Sequence, residues 1–208
     1  MPTAATRRRT QPERREEAET RLIKAAIGLL AQRGYDGFTL AEVGEAAGYS
    51  RGLPSHYFPR KDDLLAAAAQ YAVDAYAASG DTFLVGCAGI ERIASAIRHH
   101  ASTAPNDSSR ALGLLIAEAA IRPQLRTTIA SLNQRGIARL QDELVAGIAA
   151  GTIRAGIDTG VQARMIFAFL RGQMSFAALD GEFHARAVSE AFIATLEQSL
   201  VPTAPTPA

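Results

Sequence analysis

At 208 residues the chain is long enough to bury a sizeable core, and with 48% hydrophobic residues, 6% aromatics and no Trp it reads as an Ala- and Leu-rich, helix-favouring sequence. No apolar run approaches the roughly 18 residues of a membrane span, and MPTAATRRRTQPERREE lacks the apolar stretch of a secretory signal, so a cytoplasmic chain with no membrane partner is expected. The net charge of +1 hides an asymmetry, because residues 1–61 carry +4 and residues 62–208 carry −3. That pattern suits a head that meets nucleic acid, or a basic arm that merely solubilises.

Residues 1–15 are polar, with Pro2 and Pro12 and no periodic apolar set, and are expected to be a disordered basic arm. From Ala18 to Leu30 apolar positions recur at helical spacing, and RGYDGFT stops that helix. TLAE then places Thr39 at a cap with Glu42 three residues on, a capping box that opens a second helix. Gly48 breaks it, and Ser50 is expected to cap a third helix almost at once. Two short helices joined by a Gly-containing turn form a helix-turn-helix, whose second helix enters the DNA major groove. An ordinary helical hairpin with a polar face is the bland alternative.

The third helix, within AGYSRGLPSHYF, offers a guanidinium, hydroxyls, an imidazole and a phenol, with no acid among them. Arg51, Ser55, His56 and Tyr57 are donors suited to base edges or phosphates, while Ser50 leaves backbone amides pointed at an anion. Pro54 is tolerable only in the first turn, where its missing amide matters little.

The stretch LIKAAIGLLAQRGYDGFTLAEVGEAAGYSRGLPSHYFPRKDDLL resembles the N-terminal domain of the TetR family of transcriptional regulators. Ala25, Ala26, Leu29, Gly34, Tyr35, Thr39, Ala47, Gly48, Ser50, Gly52, Tyr57, Phe58, Lys61 and Leu64 carry the match over roughly residues 22–65. Pro54, Ser55 and Arg60 depart from it. The resemblance implies phosphate-holding roles for His56, Tyr57 and Lys61, a backbone contact for Thr39, and base-facing positions for Arg51 and Leu53. Phe58 is expected in the core, and Tyr35 either there or at the DNA, with the core the preferred reading.

Beyond Asp62 the pattern is helical throughout. A long helix opens at Asp62, followed by segments near 90–103, 109–121, 124–149, 159–179 and 186–200. The expected fold is all-α, with a helix-turn-helix head at 16–61, a ligand-binding and dimerisation body at 62–201 and a disordered Pro-rich tail at 202–208. The segment from Val161 to Leu179 is apolar nearly all round, and the last helix repeats apolar residues at helical spacing. Val161, Met165, Phe169, Phe176, Val188, Phe192 and Leu196 are therefore the candidate homodimer face, with a monomer core as the other reading.

The resemblance also implies a pocket in the body for a small, largely apolar effector. Cys87, His100, Leu112, Leu115, Ile116, Phe167, Arg171 and Met174 are the candidate lining. Cys87 otherwise reads as a small buried hydrophobe in a reducing compartment. Glu118 is expected on an exposed polar face. No nucleophile elbow, phosphate loop, dinucleotide fingerprint or zinc motif is present, so no enzyme, cofactor or metal is expected. His99 and His100 are adjacent and diverge on a helix, which disfavours shared chelation. The expected function is a DNA-binding regulator, read as a repressor released by its ligand from a palindromic double-stranded operator. The alternative is a helical bundle that binds a ligand or protein without operator-specific control.

Overall fold

Thr10 opens the first helix through a full capping box: its hydroxyl accepts from the Glu13 amide, and the Glu13 carboxylate accepts from the Thr10 amide. In the computed structural model, which describes residues 10–83, 88–104, 106–179 and 184–202, α1 therefore spans Gln11–Arg33. This corrects the expected arm. Residues 11–15 are helical, because Pro12 sits in the first turn, where its lack of an amide costs nothing. The rest of the arm and residues 203–208 of the tail lie outside the described residues.

Among the described residues the order continues as α2 (Leu40–Ala46), α3 (Leu53–Tyr57), α4 (Lys61–Phe83), α5 (Gly89–Ser102), α6 (Asp107–Glu118), α7 (Pro123–Ala149), α8 (Thr159–Leu179) and α9 (Ala185–Leu200), with no strand. The all-α reading holds, and the body helices begin and end within two or three residues of the expected segments.

Among the described residues two apolar clusters hold the helices together. The first joins Leu22, Ala26 and Leu30 of α1 to Phe38, Val43, Phe58, Leu64 and Leu65, and continues without a break into Ala111, Leu112 and Leu115 of α6 and Leu125, Ile129 and Leu132 of α7. The head at 16–61 thus does not close a core of its own. It shares one with the base of the body, and each fully buried Leu or Ile there contributes roughly 1.5–3 kcal/mol. The second cluster gathers Ile93 and Ile97 of α5, Leu144 of α7, Ile166 of α8 and Ile193, Leu196 and Leu200 of α9.

Polar contacts lock the far end. Arg98 of α5 meets Glu190 of α9 through two parallel bonds of 2.9 Å, the fork geometry that makes an Arg–carboxylate pair directional. The amide and Nε of Arg154, between α7 and α8, donate to the carbonyls of Leu200 and Ser199, both at 2.7 Å. They satisfy carbonyls that the end of α9 would otherwise leave unpaired.

Candidate nucleic-acid interface and ligand cavity

The turn between α2 and α3 is built by close approach. Gly48 adopts φ of 77°, a left-handed value that favours glycine. A Cβ on Gly44 would lie 2.5 Å from the Ser50 carbonyl oxygen and 3.1 Å from Cδ of Pro54. The backbone of α2 thus packs directly against the entry to α3, and buried Pro54 fills the seam. Thr39 and Glu42 form the expected capping box at the start of α2.

α3 differs from expectation at its start. Its cap is Gly52, with no side-chain cap bond, and Ser50 contributes only its carbonyl, which accepts from the Leu53 amide at 3.1 Å. Ser50 therefore turns the chain instead of capping the helix. Pro54 lies in the first turn, as its chemistry requires, and the helix runs for 5 residues.

Arg51, Gly52, Ser55 and His56 are exposed together on the outer side of this turn and helix, with Leu53 and Tyr57 half-buried beside them. Phe58 is buried, as expected. Arg51 pairs with Glu45 at 3.5 Å, with both side chains largely in solvent, so the pair holds the guanidinium only weakly and an anion can compete for it. Two arginines of α1 complete this face: Arg15 lies over the Tyr57 ring, 5.7 Å from its centroid, and Arg21 over the Tyr49 ring at 5.1 Å. Local spacing does not single them out, because each stacks on a ring far away in sequence.

Lys61 is held by contacts within the chain. Its ammonium donates to the carbonyls of Tyr35 and Phe38 and lies 3.9 Å from the centroid of the Phe38 ring. Burial pulls its pKa below the ordinary lysine value. Lys61 thereby ties α4 to the loop before α2. Tyr35 belongs to the same joint. Its hydroxyl donates to Asp62, burial and that bond push its pKa up to about 12, and the Arg122 guanidinium lies 3.5 Å from its ring centroid. Arg122, at the entry to α7, also pairs with Glu118 at 2.9 Å and with Asp36 at 3.7 Å. Glu118 is thus half-buried and paired, not on a free polar face.

In the body, α4, α5, α6, α7 and α8 enclose a cavity of about 220 Å³. It is lined by Val73, Tyr76, Ala77, Arg92, Ile93, Ala96, His99, His100, Leu112, Leu132, Gly136, Arg139, Leu140, Glu143, Phe167, Leu170, Arg171 and Met174. His100, Leu112, Phe167, Arg171 and Met174 are where the sequence put them. Leu115 and Ile116 are not, because their positions on α6 turn them into the core shared with the head. Cys87 lies outside the described residues. Tyr76, Arg92, Arg139 and Glu143 join the lining from α4, α5 and α7, helices whose facing could not be read one at a time. Among the described residues no group of His, Cys, Asp and Glu could hold a metal.

On α8 and α9, Val161, Met165, Phe176 and Val188 are exposed, at 49, 52, 59 and 39%. Phe169 and Phe192 instead stack on each other within the chain, with centroids 3.8 Å apart, and are half-buried. Leu196 is buried at 4% in the second cluster. It faces the chain's own core and offers nothing to a partner.

Residues 22–68 match the family model described as bacterial regulatory proteins, tetR family. Over 61 residues the chain is 54% identical to the HTH-type transcriptional regulator CymR of Pseudomonas putida, a match that covers 29% of this chain and 30% of that protein. The whole fold is similar to the crystal structure of a putative TetR-family transcriptional regulator from Rhodococcus sp., at a TM-score of 0.80 and 24% identity, over 89% of this chain and 99% of that one. It is also similar to a putative transcriptional regulator from Saccharomonospora viridis in complex with choline, at a TM-score of 0.75 and 20% identity, over 90% of this chain and 100% of the other. At these identities the two solved structures establish the shared fold alone. Among the described residues no helix is long and apolar enough to cross a membrane.

Proposed function

We propose that this chain, whose residues 22–68 match the tetR family model, is a regulator of that family: a cytoplasmic, homodimeric repressor released from a palindromic operator by a small molecule. The observation that carries this reading is the exposed set Arg51, Ser55 and His56, presented by a turn that Gly44 and Pro54 hold rigid. In this reading Arg51 reaches a base edge, and Ser55, His56, Tyr57 and Thr39 take phosphates, joined by Arg15 and Arg21. The exposed apolar residues of α8 and α9 meet their copies across a two-fold axis, which sets the two α3 helices about 34–36 Å apart on DNA.

Release is routed through the joint around Tyr35. α4 contributes Val73, Tyr76 and Ala77 to the cavity and Lys61 and Asp62 to the head. Arg122 grips the same loop from α7. A ligand that shifts α4 against α7 therefore moves the head, with a coupling of the usual 1–3 kcal/mol that must be reciprocal. A structural neighbour solved with choline supports a ligand-responsive body.

Selection from a random duplex pool tests the reading. A recovered palindrome that the wild type binds and Arg51→Ala binds roughly ten- to 100-fold more weakly is the expected result. A pool with no enriched sequence would leave a helical bundle without operator control as the better account.

A further inference from the structure

Three arginines, Arg92, Arg139 and Arg171, line the body cavity against one acid, Glu143, and that acid already binds Arg92 at 2.7 Å. The space is small and walled largely by Leu, Phe, Met and Val, where a charge is poorly screened.

Arg171 is the group whose needs are least met. Its Nη2 donates to the neutral Asn133 Oδ1 at 2.8 Å, and its guanidinium lies 4.9 Å from the centroid of the Phe167 ring. Its Nε, shielded from solvent, has no acceptor among the described residues. A guanidinium carries five N–H donors, and one taken out of water is ordinarily matched by an acid. Among the described residues the other polar groups beside it, Tyr76 and His100, supply no negative charge. The Tyr76 hydroxyl and His100 Nδ1 bond each other at 2.9 Å, and burial holds the His100 pKa below its ordinary value.

We propose that the cavity takes a small organic monoanion, a carboxylate on an apolar body, with the carboxylate accepting from Arg171 and the body lying among Phe167, Leu170, Met174 and Leu112. The volume of about 220 Å³ is below the roughly 300–1,000 Å³ of drug-sized sites, which limits the body to a single ring or a short chain. This rests on reading the body as the effector domain, and it adds the charge and the anchor of the effector.

Calorimetry on the full chain tests it with benzoate, 3-phenylpropionate, hexanoate and octanoate, each paired with its primary amide, and with choline as a cation. The expected result is that at least one acid binds while its amide binds roughly ten- to 100-fold more weakly. Arg171→Gln should bring that acid down to the affinity of its amide, and Arg171→Lys should keep part of the preference. If Arg171→Gln does not fold, the acid-to-amide ratio of the wild type decides alone. Amides or choline binding as tightly as the acids, an acid preference that survives in Arg171→Gln, or no acid binding at millimolar concentration would each overturn the proposal. Operator binding measured on the same preparation separates the two readings. An operator bound with no acid bound defeats the anion proposal only, and an Arg171-dependent acid with no duplex bound defeats the regulator only.

Discussion

Two of the three donors of the Lys61 ammonium end on main-chain carbonyls, those of Tyr35 and Phe38, and this decides what its loss would do. Lys61→Ala leaves two partly buried carbonyls without their charged donor and should cost about 1–3 kcal/mol of stability. The salt dependence of DNA binding should hardly change. Thermal melting and titrations at several salt concentrations separate the two effects, and a salt slope lowered by about one unit with no change in melting would return Lys61 to the phosphates. His100 gives a second residue-scale prediction. Its pKa is lowered in the fold, first by burial and then by the charges of Arg171 and His99, which outweigh a backbone bond to Leu170 that raises it. The unfolded chain therefore binds the proton more readily. The stability that His100 contributes is complete above an unfolded value of about 6.5 and is lost as pH falls through the folded value. Melting temperature should drop between pH 7 and pH 5 by more in the wild type than in His100→Gln, and parallel pH profiles would rule this out.

At the scale of elements, the turn from α2 to α3 depends on an absent side chain. In Gly44→Ala the new Cβ would meet the Ser50 carbonyl at 2.5 Å, and backbone cannot yield as a flexible side chain does. The variant should lose roughly 1–3 kcal/mol of stability and most of its DNA binding, and chemical denaturation with a binding titration checks both. What was legible here followed from local rules. The box of Thr39 and Glu42, the break at Gly48 and the first-turn placement of Pro54 all depend on residues three or four positions apart, so sequence alone places them. The Ser50 cap failed because a short, tight turn used the Ser50 carbonyl in place of its hydroxyl. The arm failed at residues 11–15 for the opposite reason: its capping box at Thr10 and Glu13 was legible, but charge and Pro content obscured it.

Across the whole molecule, legibility fell with sequence separation. The core shared by head and body, the Arg122 contact with Tyr35 and the α7 contribution to the cavity each join residues brought together only by helix packing. Periodicity gives the apolar face of a helix but not the helix that covers it. Leu115 and Leu196 show the consequence, since both were correctly read as apolar and then assigned to the wrong neighbour. The same distinction sets the test of assembly. Phe192→Asp would break the stack with Phe169 inside the chain, whereas Met165→Glu or Val188→Asp alters exposed positions on α8 and α9. Either exposed variant should sediment as a monomer with its helicity unchanged, and a wild type that is itself monomeric at micromolar concentration would remove the two-fold arrangement.

In the proposed function the α2–α3 face reads DNA and the body cavity controls it. The most direct measurement is a fluorescence-anisotropy titration of the selected palindrome against a scrambled duplex, for the wild type, Arg51→Ala and Arg122→Ala, with and without the carboxylate that binds best. Tight binding of the palindrome alone is expected, with a loss of affinity of roughly five- to 150-fold when the carboxylate is added. That loss should shrink in Arg122→Ala, whose operator affinity without ligand stays near wild type, while Arg51→Ala binds weakly throughout. Equal affinity for palindrome and scrambled duplex, or an operator affinity that the bound carboxylate leaves unchanged, would contradict it.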